Sequence, residues 1–424
     1  MTERRRGRHA ISIAIAVQGI LVLAIPWLTR AHHPPSTVVA VFALCFIPYA
    51  VIVTRAPDAL DRGEAVRIAL VALSVFGVAL VLAPPSLSDD VYRYVWEGRL
   101  WREGWNPYLR APLDPALAHL RDEGWASINN KPLASIYPPL SQALFVLTDS
   151  IGGGVTTLKA LALLGHLAAT AIVGRISEDP RAPLALGLNP LLLSASALDG
   201  HLDILTGLAL LIAAWGLGHH RVFQAAVATL VAVGLKMVGL VFLPLFLRRP
   251  IGLAFAAIGS ALMLLPMVFW RPAADAASGT TEFATRWVGN ESGYALLNWV
   301  SESLCESEAA PWVARGIAVG LVLAVGLGLA WRGSSPLRCA RIVLWSTLLL
   351  SPQVHPWYLA WLLPIEIVSG GRAGLVWSAA ALCAYVPLDR WMAEGVWEFP
   401  PGLHAFEYAA VAVALWFERR PGPS

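Results

Sequence analysis

The chain has 424 residues, of which 57% are hydrophobic and 14% charged, with a formal net charge of +3 and a mean hydropathy of +0.62. Soluble domains carry about 25% charged residues, so this composition excludes an ordinary soluble protein and puts most of the chain in a bilayer. The near-balanced charge gives no nucleic-acid-binding surface, and the basic residues fall in short segments between apolar runs.

The first nine residues, MTERRRGRH, precede an apolar run from Ala10 to Leu28. That run is long for a cleavable signal and lacks a small-x-small site, so an uncleaved first helix with a basic cytoplasmic end is expected. Spans follow near Thr37–Val53, Ala65–Ala83, Thr157–Ile176, Pro183–Ala197, Asp203–Leu217 and Val222–Val233. Further spans are expected near Met237–Leu247, Ile251–Trp270, Val313–Trp331, Arg341–Leu350, Trp357–Val368, Gly374–Leu388 and His404–Phe417. Each is apolar enough to cross, or to cross as one of the short members of a polytopic bundle.

Alternation of the basic turns sets the orientation. Arg4, Arg5, Arg6 and Arg8, then Arg55, Arg62 and Arg67, Arg175 and Arg181, Arg248 and Arg249, Arg332 and Arg338, Arg372, and finally Arg419 and Arg420 all fall on one side. Both termini are then cytoplasmic in a cell (inner or plasma) membrane. The scheme needs Pro138–Thr148 to lie along the membrane and Lys236 to sit at an outer turn between two short helices. It leaves outer segments at 84–156 and 271–311. The eighteen tryptophans suit interfacial anchoring. The four cysteines, Cys45, Cys305, Cys339 and Cys383, have neither metal-ligand nor disulfide-framework spacing.

The first outer segment opens with SDDVYRYVWEGRLWREGWNPY, from Ser88 to Tyr108, the densest charge in the chain. Asp89, Arg93 and Glu97 recur at intervals of four, which predicts a short helix with Asp90, Arg93 and Glu97 near one face. Tyr92, Val95, Trp96 and Leu100 are then expected at the lipid interface. Gly104 and Asn106-Pro107 supply the turn that ends it. Two readings of the acidic pair stand side by side. Asp is favoured at a helix start, where it caps; adjacent carboxylates can also act as a general base and its orienting partner.

Further along come IYPPLSQALF, NPLLLSASALDGHLDILTGLALL, GLKMVGLVFLPLFLRR and SPQVHPWYLAWLLP. In this order, the set resembles the polytopic membrane glycosyltransferases of the GT-C fold, closest to bacterial polyprenyl-phosphate-mannose-dependent mannosyltransferases. The resemblance covers most of the chain, and the Ser88–Tyr108 motif is its most specific part. It implies an all-α transmembrane bundle of about 12–14 spans, a number that also follows from the apolar runs, with interfacial helices in a large first outer loop. The whole of 1–424 would be one membrane domain, with 84–156 as the catalytic loop and no separate soluble domain. The outer C-terminal domain that many superfamily members use for their acceptors is missing, so acceptor choice would rest on loops.

Carried residue by residue, the resemblance makes Asp89 the base and gives Asp90 an orienting or cation-holding role. Tyr137 occupies the place where related lipid-A sugar transferases carry a lysine that contacts the donor phosphate. Lys131, six residues upstream, is the expected substitute. A phosphate leaving group has a second pKa of about 6 and departs without a general acid, whereas glycosidases use two carboxylates. Positive charge must then meet the departing phosphate, and Arg93, Arg99, Lys131 and Lys236 are the candidates. Lys236 interrupts an apolar run, where a central lysine costs about 2.5–3.5 kcal/mol on insertion scales; snorkelling at a helix end and a phosphate contact both explain it.

His201 and Asp203 in LDGHLDIL, and His355, Trp357 and Tyr358 in HPWY, are candidates for sugar or acceptor contact, with Trp357 as a stacking face. The alternatives are helix capping by Asp203 and interfacial anchoring by the aromatics. No cofactor is called for, although Mg²⁺ or Mn²⁺ would suit two adjacent carboxylates. The expected partners are a polyprenyl-phosphate sugar, an acceptor that is a glycolipid, polysaccharide or protein, and the bilayer; no nucleic acid is among them. Two other classes compete. A multi-pass transporter or flippase would show paired halves with matching broken helices, and a non-catalytic scaffold would leave the acidic pair idle.

Overall fold

The computed structural model describes residues 3–270, 279–306, 308–400 and 402–418. Positions 271–278 of the expected second outer segment, and Arg419 and Arg420, lie outside the described residues. The described chain is helical; its one β-type feature among these residues is an isolated bridge between Gly289 and Gln353.

Six helices are long and apolar enough to cross a membrane singly: α1 (Glu3–Arg30), α2 (Pro35–Ala59), α3 (Arg62–Val81), Gly154–Ile176, Pro250–Phe269 and Ala310–Trp331. A bent pair, Pro190–Leu198 and Asp203–Gly218, with 118° between its halves, has the length and composition of either a broken span or a re-entrant loop. The other expected spans fall on shorter helices such as Val222–Leu235, Met237–Phe246 and Pro356–Val368. The chain is a polytopic, all-helical membrane protein.

The residues form two compact units, each assembled from separate stretches. The first comprises 1–88, 159–208 and 355–424. Asp61 and Glu64 start α3 with a reciprocal capping box, which satisfies backbone donors that a helix start leaves open. Several of its buried polar groups are paired, as apolar surroundings favour. The Gln18 amide donates to the Leu188 carbonyl at 2.8 Å, the Tyr49 hydroxyl to that of Ala185 at 2.7 Å, and the Asn189 amide to the Ser378 hydroxyl at 2.9 Å. The bend falls here. A π-type turn over Ser194–Leu198 ends the first half, and Gly200 at φ +74° reverses the chain, a conformation open to glycine.

The second unit comprises 89–158 and 209–354. It contains a fourth helix, α4 (Asp90–Arg102), against which Pro139–Ser150 packs. Gly98 permits the approach, because a Cβ there would collide with the Phe145 carbonyl. The aromatic surface of α4 corrects one expectation. Trp96 and Leu100 do not rest on lipid: they are buried with Leu117 and Ile128 in a core of the loop itself.

Candidate functional site

Asp89 immediately precedes α4, yet its side chain does not cap the helix. Its Oδ1 instead accepts from the Asn129 amide at 2.5 Å, and the same nitrogen donates to Asp90 Oδ1 at 3.0 Å. One amide therefore brackets both carboxylates. Burial and the Asp90 charge push the Asp89 carboxyl up to about 6, against the opposing pull of the Asn129 hydrogen bond. Asp90 also accepts at 3.4 Å from the Tyr94 hydroxyl. Among the described residues no group of three or more His, Cys, Asp or Glu is arranged to hold a metal ion.

Asn129 owes its position to Arg93. That guanidinium is buried and donates from Nη1 to the carbonyls of Asn129 (3.3 Å) and Asn130 (3.2 Å), and from Nη2 to Leu133 (2.5 Å). Its Nε pairs with Glu97 at 2.9 Å. Glu97 in turn accepts from the Ser135 hydroxyl at 2.7 Å and the Gln142 amide at 2.6 Å, and Trp101 Nε1 donates to Gln142 at 3.0 Å. A buried ion pair is favourable only when its remaining valences are met in this way.

Three of the residues expected at the phosphate are engaged within the loop. Arg93 spends its donors on the loop backbone and Glu97. Arg99 pairs with Asp122 at 2.6 Å and reaches the Leu120 carbonyl. The Lys131 ammonium donates to the carbonyls of Ala126 (2.9 Å) and Ile128 (2.6 Å) and lies over Trp125. All three tie one stretch of the loop to another.

Lys236 is placed differently. It stands in extended backbone between Val222–Leu235 and Met237–Phe246, the break between short helices that the sequence predicts. The Ser141 hydroxyl accepts the chain there by donating to the Leu235 carbonyl at 2.8 Å. The Lys236 ammonium lies 5.5 Å from the centre of the Tyr137 ring. Tyr137 packs edge-on against Tyr94 with centroids 5.0 Å apart, and Tyr94 meets Asp90. Within this unit the acidic pair, two tyrosines and Lys236 thus form a continuous row. Tyr137 stands where the resemblance expects a lysine, and a lysine from another helix covers its ring.

The first unit gathers the other five candidates. His201 and His355 stack on opposite sides of their shared neighbour Trp357, at centroid distances of 3.9 and 4.4 Å and interplanar angles of 14° and 6°. Asp203 accepts from Trp361 Nε1 at 2.8 Å, and Tyr358 stacks on the Trp361 ring at 4.2 Å. His201, Asp203, Trp357 and Tyr358 are buried, while His355 is partly exposed. The stacking face expected of Trp357 is taken up by the imidazoles.

Sequence reasoning missed Asn129 and Trp361. Asn129 carries no charge and lies forty residues from Asp89. Trp361 carried a signal, its i,i+4 spacing from Trp357 in HPWYLAW.

Comparison with known proteins agrees with these features. A family profile described as alpha-(1->6)-mannopyranosyltransferase, N-terminal domain, matches residues 2–252. Alpha-(1->6)-mannopyranosyltransferase A of Mycobacterium tuberculosis is 25% identical over 401 residues, spanning 84% of this chain and 75% of that protein. Alpha-(1->6)-mannopyranosyltransferase B of Corynebacterium glutamicum is 28% identical over 347 residues, spanning 66% of this chain and 55% of that protein. No solved structure matches the chain. With more than half of its length matched, and with Asp89, Asp90 and Asn129 inside the match, the chain belongs to the alpha-(1->6)-mannopyranosyltransferase family of membrane glycosyltransferases.

Proposed function

We propose that the protein transfers a mannosyl residue from a polyprenyl-phosphate donor to an acceptor hydroxyl at the outer membrane face, with inversion and with Asp89 as general base. The observation that carries this reading is the Asp89 carboxylate. It is withheld from helix capping, bracketed with Asp90 by Asn129, and pushed up to about 6. A base is most effective when its pKa lies near the working pH. At neutral pH Asp89 is ionised and retains more basicity than an ordinary aspartate.

In the reaction the acceptor oxygen bonds to the anomeric carbon as the bond from that carbon to the phosphate oxygen breaks. The acceptor proton passes to Asp89, and the bonding pair leaves with polyprenyl phosphate. Inversion of a β-linked donor gives the α linkage named in the relatives. Asp90 and Asn129 orient Asp89, while Lys236 supplies positive charge to the leaving phosphate across the tyrosine row. The residues around Trp357 in the first unit are assigned to sugar or acceptor contact, with His355 partly exposed among them. A glycolipid or polysaccharide is the acceptor class, and the basic turns support cytoplasmic termini.

The test is transfer from radiolabelled polyprenyl-phosphate mannose to a membrane glycolipid extract by wild type and Asp89→Asn. Transfer by the wild type and its loss in a folded, donor-binding variant is the expected result. Equal transfer by both overturns the base assignment. Transfer only from another lipid-linked sugar overturns the donor.

A further inference from the structure

Two buried charges take no part in this mechanism: Lys159 and Asp199, both with 0% exposure. Both lie in the first unit, and both act on one stretch of chain, Leu80–Ser88. Lys159 Nζ donates to the Leu80 carbonyl at 2.9 Å and to the Ala83 carbonyl, at the C-terminal end of α3. A cation bonded to the last carbonyls of a helix satisfies acceptors the helix itself leaves open. Asp199 holds the other end. Its Oδ1 accepts from the backbone N–H of Ser86 at 2.9 Å and of Leu87 at 3.1 Å, and the Ser88 N–H bonds to the same carboxylate. The two side chains also feel each other's charge. The next residue after Ser88 is Asp89.

We infer that Lys159 and Asp199 are positioning residues: together they fix the Leu80–Ser88 segment and so set the point from which Asp89 leaves it. The inference rests on the reading of Asp89 as the base. Pro84 and Pro85 have no N–H to offer and stiffen the middle of the segment, so fastening both ends determines its course. The bend places Asp199 at the end of the first half, where its N–H donates to the Ser194 carbonyl at 3.0 Å while its side chain meets the Ser86 and Leu87 amides. Neither residue touches the reacting atoms.

The test combines kinetics with hydrogen–deuterium exchange on the full-length protein, in wild type, Asp199→Ala, Asp199→Asn, Lys159→Met and the double variant Lys159→Met/Asp199→Asn. Asp199→Ala should lower kcat by about a hundredfold, the cost of misplacing a catalytic group by about 1 Å. The KM for polyprenyl-phosphate mannose should stay within about twofold, because donor contacts are unchanged. The Ser86 and Leu87 amides should lose protection while those of α1 and α2 keep theirs. Asp199→Asn, which keeps an acceptor oxygen, should recover part of the lost kcat. The double variant should be more active than Lys159→Met, which leaves one uncompensated buried charge.

Wild-type protection of Ser86 and Leu87 in Asp199→Ala overturns the clamp. Lost protection with unchanged kcat overturns its role in positioning. Full activity of Asp89→Asn removes the base reading instead, a result obtained without any Lys159 or Asp199 variant, so the two failures are told apart.

Discussion

Two aspartates, Asp89 in the outer loop and Asp199 at the helix break, show what their surroundings make of the same side chain. Asp199 is wholly buried, with backbone N–H groups on one oxygen and a lysine charge nearby. Asp89 has a side-chain amide, a second carboxylate and the Lys131 charge for neighbours. The first environment uses the carboxylate as an anchor for backbone N–H groups. The second leaves a carboxylate whose proton affinity is raised, which is what proton abstraction requires. One aspartate thus anchors backbone, while the other shares an amide with a second carboxylate.

Breaking the second environment should have the largest effect. Asp89→Asn is expected to lower kcat by about a thousandfold, within the usual range for removing a general base, in the lipid-linked mannose assay. Breaking the surrounding framework comes next. Arg93→Leu leaves Glu97 buried without its partner and should cost about 3 kcal/mol of stability, read as a lowered Tm. Arg93→Lys should not restore it, because an ammonium cannot serve carbonyls and a carboxylate in fork geometry. If Arg93 bound the donor phosphate instead, the principal change would be in donor KM.

A smaller effect is expected at Lys236. Lys236→Met should raise the donor KM by about tenfold, or about 1.4 kcal/mol, with the pH dependence unchanged. The finest comparison lies between the two neighbours of Asp89. Activity needs the ionised base, so kcat should fall as pH drops through about 6. Asp90→Asn removes a repulsive charge and should move that limb to lower pH, whereas Asn129→Leu removes a bond to the ionised form and should move it higher. Each displacement should be about one unit or less. Limbs that move in the same direction would contradict the bracket.

Much of this was legible in the sequence, for reasons that also explain what was not. Apolar runs announced the helices, and the break at Lys236 was visible as a charge inside one such run. Asp89 and Asp90 stood out because a carboxylate pair follows an apolar segment directly. The loop contacts of Arg93, Arg99 and Lys131 were not legible because a cation's partner is often a carbonyl, and every residue offers one. Arg93 finds its acceptors 36 to 40 positions away, a distance at which no periodicity operates. Lys159 and Asp199 were passed over, Asp199 standing beside His201 and Asp203 in LDGHLDIL. Their significance depends on which backbone groups they meet.

The Arg93–Glu97 network has a bearing on biogenesis. Its partners, from Asn129, Asn130 and Leu133 to Ser135 and Gln142, all come from one short stretch of chain. Loops of that length close at modest entropic cost, and domains form as their residues emerge from the ribosome. The scaffold around the acidic pair therefore has its polar partners before Lys236 is synthesised. The setting of the acidic pair is assembled early, and the cation that completes the row arrives later, from the break between two helices.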